Sequence, residues 1–133
     1  MMLAVDTNVL ARYLNNDHPV QSKRAAAIVS GQDIFIAKSV VLELEWVLRA
    51  CYGLGPKTVL DSLRALLGLP NVAMEDGLAV AGALAAYESG MDFADALHLQ
   101  SSREAERFVT FDKKLCKQAA KSSGSVGMAV ECL

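Results

Sequence analysis

Short apolar runs of strand length alternate with stretches of helical length along the whole chain, and no other feature constrains the fold so tightly. The first run, Leu3, Ala4 and Val5, stops on Asp6 and gives way to polar residues and then to a helix. A run bounded in this way suits a buried strand of a parallel sheet. Later runs fall at Asp33–Ala37, Asn71–Met74, Arg107–Thr110 and Met128–Cys132. Helices are expected over 7–14, from Pro19 to about Ser30 with Asp17 as its N-cap, and from Ser39 to about Tyr52. Further helices are expected over 57–67, 75–89, from Asp92 to about Ala105, and from Asp112 to about Lys121. A flexible Ser/Gly-rich connection, residues 122–127, leads to the last strand. Strands separated by helices imply an α/β fold, a parallel sheet with helices on both faces.

At 133 residues the chain reads as one domain, 1–133, with an interior rich in Ala, Leu and Val; 53% of residues are hydrophobic and only 6% aromatic. A net charge of −2 counts against a non-specific nucleic-acid coat. It counts less against an enzyme whose acidic site offsets a local basic patch. Cys51, Cys116 and Cys132 are odd in number, scattered and without C-x-x-C spacing. They read as reduced thiols of a cytoplasmic protein, with neither zinc nor a disulfide framework expected. No signal peptide is read at the N-terminus, and the apolar run Leu78–Tyr87 is too short to span a bilayer.

In a parallel sheet, residues just past each strand share one edge, where open α/β sheets place ligands. Asp6, Glu43 and Asp112 follow three different strands, so the pattern sends them to one rim. Asp92 and Asp95 open a helix with no strand immediately before it, and pattern alone does not place them there. Each acid also has a plain structural role available. Asp6, Asp92 and Asp112 stand where an N-cap would, and Asp92 with Asp95 resembles a capping box. Asp6 is the least easily explained so, because a carboxylate among apolar neighbours is costly unless partnered.

Glu43 and Glu45 compete for one role. At about 100° per residue they diverge by roughly 200° on a helix, each at a margin of an apolar stripe of Val40, Leu44, Val47, Leu48 and Cys51. Glu43 is nearer the helix start and is preferred; Glu45 is left as a solvated or ion-paired residue. His98 shares a face with Asp92 and Asp95 but is left out, since an all-carboxylate set suits Mg²⁺ or Mn²⁺.

Clustered acids repel one another, and a divalent cation relieves the repulsion. It would also supply an activated water for phosphodiester hydrolysis. Thr7, Asn8 and Thr110 would orient carboxylates, or serve only turns and caps. Lys113, Lys117 and Lys121 form one stripe of the last helix, with Lys114 beside them. Lys113 and Lys114, next to Asp112, are the candidates for substrate phosphate, ahead of Lys38 and Arg49.

Four blocks in order carry a family resemblance: Val5-Asp6-Thr7-Asn8-Val9-Leu10, Ser39-Val40-Val41-Leu42-Glu43-Leu44-Glu45-Trp46-Val47-Leu48, Asp92-Phe93-Ala94-Asp95-Ala96-Leu97 and Val109-Thr110-Phe111-Asp112-Lys113-Lys114-Leu115. The chain resembles PIN-domain ribonucleases, specifically the VapC-like toxins of bacterial toxin–antitoxin pairs. That resemblance implies a three-layer α/β/α sandwich around a short central parallel sheet. It implies Mg²⁺- or Mn²⁺-dependent cleavage of RNA, a homodimer, and inhibition by a small antitoxin bound over an apolar groove. By position, Asp6, Glu43, Asp95 and Asp112 match the family's metal-site acids, and Asp92 matches an additional acid of many relatives. Two other readings compete. A haloacid-dehalogenase-like phosphatase with Asp6 as nucleophile would want an aspartate where Asn8 stands. A non-catalytic binding module on the same fold would act through protein contacts.

Overall fold

The computed structural model describes residues 1–121 and 128–133. The Ser/Gly connection at 122–127 lies outside the described residues. Two compact units divide the chain, Met1–Glu75 and Asp76–Leu133.

In the first unit, β1 (Met2–Ala4), β2 (Asp33–Ile36) and β3 (Val72–Met74) form a parallel sheet with β2 in the centre. Leu3 lies opposite Ile34, and Ile34 opposite Val72. Ile34 and Ile36 are fully buried while Phe35 between them is half-buried, so the central strand alternates as the pleat requires. The connections carry α1 (Thr7–Asn15) and α2 (Pro19–Gly31), then α3 (Lys38–Trp46), a π-helical turn (Val47–Cys51) and α4 (Pro56–Leu67). Both crossovers step in the same direction across the sheet, and the right-handed rule then puts these helices on one face. Val59, Leu60, Leu63, Leu66 and Leu67 form the buried stripe of α4 at helical spacing.

Three local expectations are corrected in this unit. His18, not Asp17, caps α2: its Nδ1 accepts the Gln21 N–H at 3.0 Å. Asp17 is already engaged, accepting from the Tyr52 hydroxyl at 2.8 Å and from Arg12 at 2.8 Å. Those contacts, the tyrosine bond foremost, hold its carboxyl below the ordinary range. Second, α3 begins at Lys38, one residue earlier than expected, after Ala37, which supplies no side-chain cap. Instead the Lys38 N–H donates to Glu75 Oε1 at 2.9 Å. Third, the buried stripe of α3 and its π-turn runs through Val41, Leu44, Glu45 and Leu48; Val40 is only half-buried and Cys51 is exposed.

In the second unit, α5 (Gly77–Glu88) packs along α6 (Phe93–Ser101), and β4 (Arg107–Thr110) pairs in parallel with β5 (Ala129–Cys132), joined through α7 (Lys113–Lys121). Gly90, with φ +104°, turns the chain between α5 and α6 where a side chain would be strained. The helix α6 stops at Ser101, four residues short of expectation. Ser102 Oγ donates to the His98 carbonyl and Arg103 to the Gln100 carbonyl, so side chains take over the terminal acceptors. Parallel strands flanked by helices make up both units: the α/β class is as read from sequence, consistent with a three-layer sandwich.

One correction concerns the thiols. Cys116 of α7 and Cys132 of β5 are disulfide-bonded, with Cα atoms 6.0 Å apart, and only Cys51 is free. The β4–β5 ladder and the packing of α7 on it bring the pair together across 16 residues, which spacing alone does not reveal.

Close packing of α5 on α6 rests on Gly82. A Cβ built there would lie 2.3 Å from Oε1 of Gln100, itself only 8% exposed. In an open helix interior, Gly→Ala stabilises by about 1 kcal/mol. Here the buried Gln100 side chain would have to shift and give up its packing, so Gly82→Ala is expected to destabilise by about 1–3 kcal/mol, the cost of overpacking. Urea denaturation reads this directly, and an unchanged or higher midpoint would contradict it.

Candidate active site

The first unit contributes Asp6, Thr7 and Glu43. Asp6 follows β1 and caps α1, its Oδ1 accepting the Thr7 N–H at 2.8 Å. It is exposed, not held among apolar side chains as its neighbours in sequence suggested. Thr7 is 2% exposed, and its hydroxyl donates to Glu43 Oε1 at 2.5 Å. One buried residue therefore binds one carboxylate through its backbone N–H and the other through its side chain. The two glutamates part along the helical period. Glu43 is exposed and tied to Thr7, whereas Glu45 is buried and ion-paired with Arg49 at 2.8 Å. Glu45 is thus ion-paired as expected, but inside the unit and not on its solvated margin. The Asn8 side chain makes no hydrogen bond to either acid among the described residues.

The second unit contributes Asp92, Asp95 and Asp112. Asp92 caps α6, its Oδ1 accepting the Asp95 N–H at 3.0 Å. Asp112 caps α7, its Oδ1 accepting from the N–H groups of Lys114 at 2.9 Å and Leu115 at 3.2 Å. Thr110 Oγ1 accepts the Asp112 N–H at 3.0 Å; it fixes the turn and does not touch the carboxylate. Asp95 is half-buried. Burial, then the negative charges of Asp92 and Asp112, push its carboxyl above the ordinary range, with His98 and Lys114 opposing. The topology has therefore carried Asp112 from the end of β4 into the field of the α6 acids, the step that sequence pattern did not make. It also makes His98 a charge neighbour of Asp95. The i, i+3 spacing of these two residues was visible in the sequence, but not its electrostatic consequence.

Capping and ligation are compatible here. Asp6, Asp92 and Asp112 each engage only Oδ1, and among the described residues Oδ2 of each accepts no hydrogen bond. A carboxylate has about four acceptor sites, so a cap anchors each side chain and leaves one oxygen for another ligand. The donors are all hard oxygens, and Asp95 carries a like-charge penalty from Asp92 and Asp112. Both features fit a divalent cation such as Mg²⁺ or Mn²⁺. Among the described residues, no group of three or more His, Cys, Asp or Glu is already gathered as a cage. Lys113 and Lys114 are exposed on the first turn of α7.

No helix among the described residues is long and apolar enough to cross a membrane. No curated protein matches the chain. The PIN-domain family model matches residues 3–121, a span that starts before Asp6, takes in Glu43, Asp92, Asp95 and Asp112, and covers most of each unit. With the match running through nearly the whole length and through each acid singled out above, the chain belongs to the PIN-domain family.

Proposed function

We propose that this protein is a divalent-metal-dependent endoribonuclease, the toxin of a bacterial toxin–antitoxin pair. PIN domains are generally nucleases, PIN nucleases bind RNA, and they generally use a divalent metal. On this reading Asp6, Glu43, Asp95 and Asp112, with Asp92 as a further acid, belong to one metal site. The observation that carries it is the set of half-used carboxylates: Asp6, Asp92 and Asp112 are each anchored by a backbone N–H and keep one oxygen free, and Glu43 is held by Thr7.

A bound Mg²⁺ or Mn²⁺ would supply charge for the scissile phosphate and for the oxygens whose bonds to phosphorus form and break. The chain's own residues do the rest. Thr7 holds Glu43 in place, so that carboxylate needs no reorganisation when the ion arrives. Thr110 fixes the backbone at Asp112. Lys113 and Lys114 attract the phosphate backbone from the same turn. The toxin assignment brings with it a small antitoxin, a homodimer and a cytoplasmic location. A cleft lined by Val9, Arg12, Ala25 and Ile28 begins at Asn8, two residues from Asp6, and suits an inhibitory segment of mixed apolar and acidic character.

A structured RNA should be cut when Mg²⁺ or Mn²⁺ is added, and EDTA should abolish the cutting. Calorimetric titration with Mn²⁺ should show saturable binding. The competing reading is a non-catalytic binding module on the same fold. Absence of both Mn²⁺ binding and cleavage would select that reading.

A further inference from the structure

We propose that Phe111 is a stacking platform for an unpaired base of the RNA. The inference rests on the ribonuclease reading above and names the contact that reads the substrate as single-stranded. Along β4 the side chains alternate: Phe108 and Thr110 are half-buried, Arg107 and Val109 exposed. Phe111 continues the exposed series just past the strand and is 80% exposed, although it is the most apolar residue of its turn. An isolated exposed apolar side chain is ordinary, so exposure by itself says little.

The neighbourhood is what distinguishes it. The next residue is Asp112, followed by exposed Lys113 and Lys114, with exposed Lys117 one turn further along α7. Lys113 and Lys117 form no ion pair among the described residues, so their charge is available to an anion. An open aromatic face beside free cations is the combination with which proteins hold single strands: lysines take the phosphates and the ring takes the base. A duplex keeps its bases stacked and out of reach, so the platform selects an unpaired nucleotide. The patch fits a protein partner poorly. Its large apolar members among the described residues are three, Val109, Phe111 and Leu133, whose N–H donates to the Thr110 carbonyl, and the Arg107–Glu131 ion pair at 2.9 Å closes its far end. A stable interface takes about 800 Å² from each partner.

The test is fluorescence anisotropy with a labelled single-stranded ribo-oligonucleotide, an abasic version of it and a hairpin, in EDTA so that nothing is cut. Phe111→Ala and Phe111→Leu should each weaken binding of the single strand about tenfold, and Phe111→Trp should restore it. The abasic strand should bind wild type as weakly as the single strand binds Phe111→Ala. Because the ring is exposed, all three variants should melt with wild type. Equal affinity of wild type and Phe111→Ala overturns the platform, and leaves the nuclease reading intact if wild type still cuts RNA with Mg²⁺. Full binding by Phe111→Leu also overturns it, since bulk without a π face would then suffice. A Phe111→Ala chain that binds RNA normally but loses self-association in sedimentation would assign the patch to a second copy instead. If wild type neither binds nor cuts RNA, both readings fall together.

Discussion

Replacing Asp95 with asparagine is expected to cut RNA cleavage about 100-fold or more while raising the melting point of the metal-free protein. The two effects have one origin. Residues one step removed from a metal already cost about 10–100-fold when lost, and on the proposed reading Asp95 is a direct ligand. Its ionised form is disfavoured in the fold by burial and by Asp92 and Asp112. The sign follows from linkage: a carboxyl whose folded pKa lies above its unfolded value of 3.8 destabilises the fold when ionised. That penalty is present at neutral pH and disappears as pH falls through the folded pKa. The neutral amide removes it at every pH. Wild type should therefore gain on the variant as the solution is acidified, and the two melting curves should converge. Mn²⁺ should stabilise wild type by mass action and the variant less. A variant that cuts RNA at the wild-type rate, or that melts earlier without metal at pH 7, would contradict this account.

Phe93→Ala should be the most damaging single truncation in the second unit, at about 3–5 kcal/mol. The ring is 1% exposed and meets Tyr87 edge to face, centroids 5.6 Å apart at 84°. It is also the first residue of α6, immediately after the cap Asp92 and two before Asp95. The cavity would loosen the helix start on which both acids are mounted, so cleavage should fall further than the lost stability alone predicts. Guanidinium denaturation measures the first effect, and cleavage at a temperature where the variant is still folded measures the second. Phe93→Leu, which keeps most of the volume, should recover much of both. A Phe93→Ala variant within about 1 kcal/mol of wild type would mean that the site had collapsed around the gap.

The strands and most of the helices were legible because they depend on short-range pattern. The run ending at Asp6 became β1 followed by α1, and Arg107–Thr110 became β4 with those same bounds. That Glu43 and Glu45 face different ways was legible too, because it needs only the angle between two positions on a helix. The caps at Asp6, Asp92 and Asp112 were legible as well, but the cap of α2 was not. Asp17 has the better composition for a cap, yet Arg12 and Tyr52 occupy it, and Tyr52 lies 35 residues away. The stripe on α3 was displaced because burial of Glu45 depends on what packs there, and Glu45 carries Arg49 as its partner. The Cys116–Cys132 bond was hidden for the same reason.

Residue order alone thus determined the alternation of strand and helix, the family's four blocks and the identity of the acids. Tertiary structure decided what each acid experiences: the exposure of Asp6, the Thr7 hydroxyl on Glu43, and the arrival of Asp112 in the field of Asp95. The division is physical. Periodicity and capping chemistry act over a few residues and can be read along a line. Desolvation and charge repulsion act through space, and they take their values only once distant segments have packed.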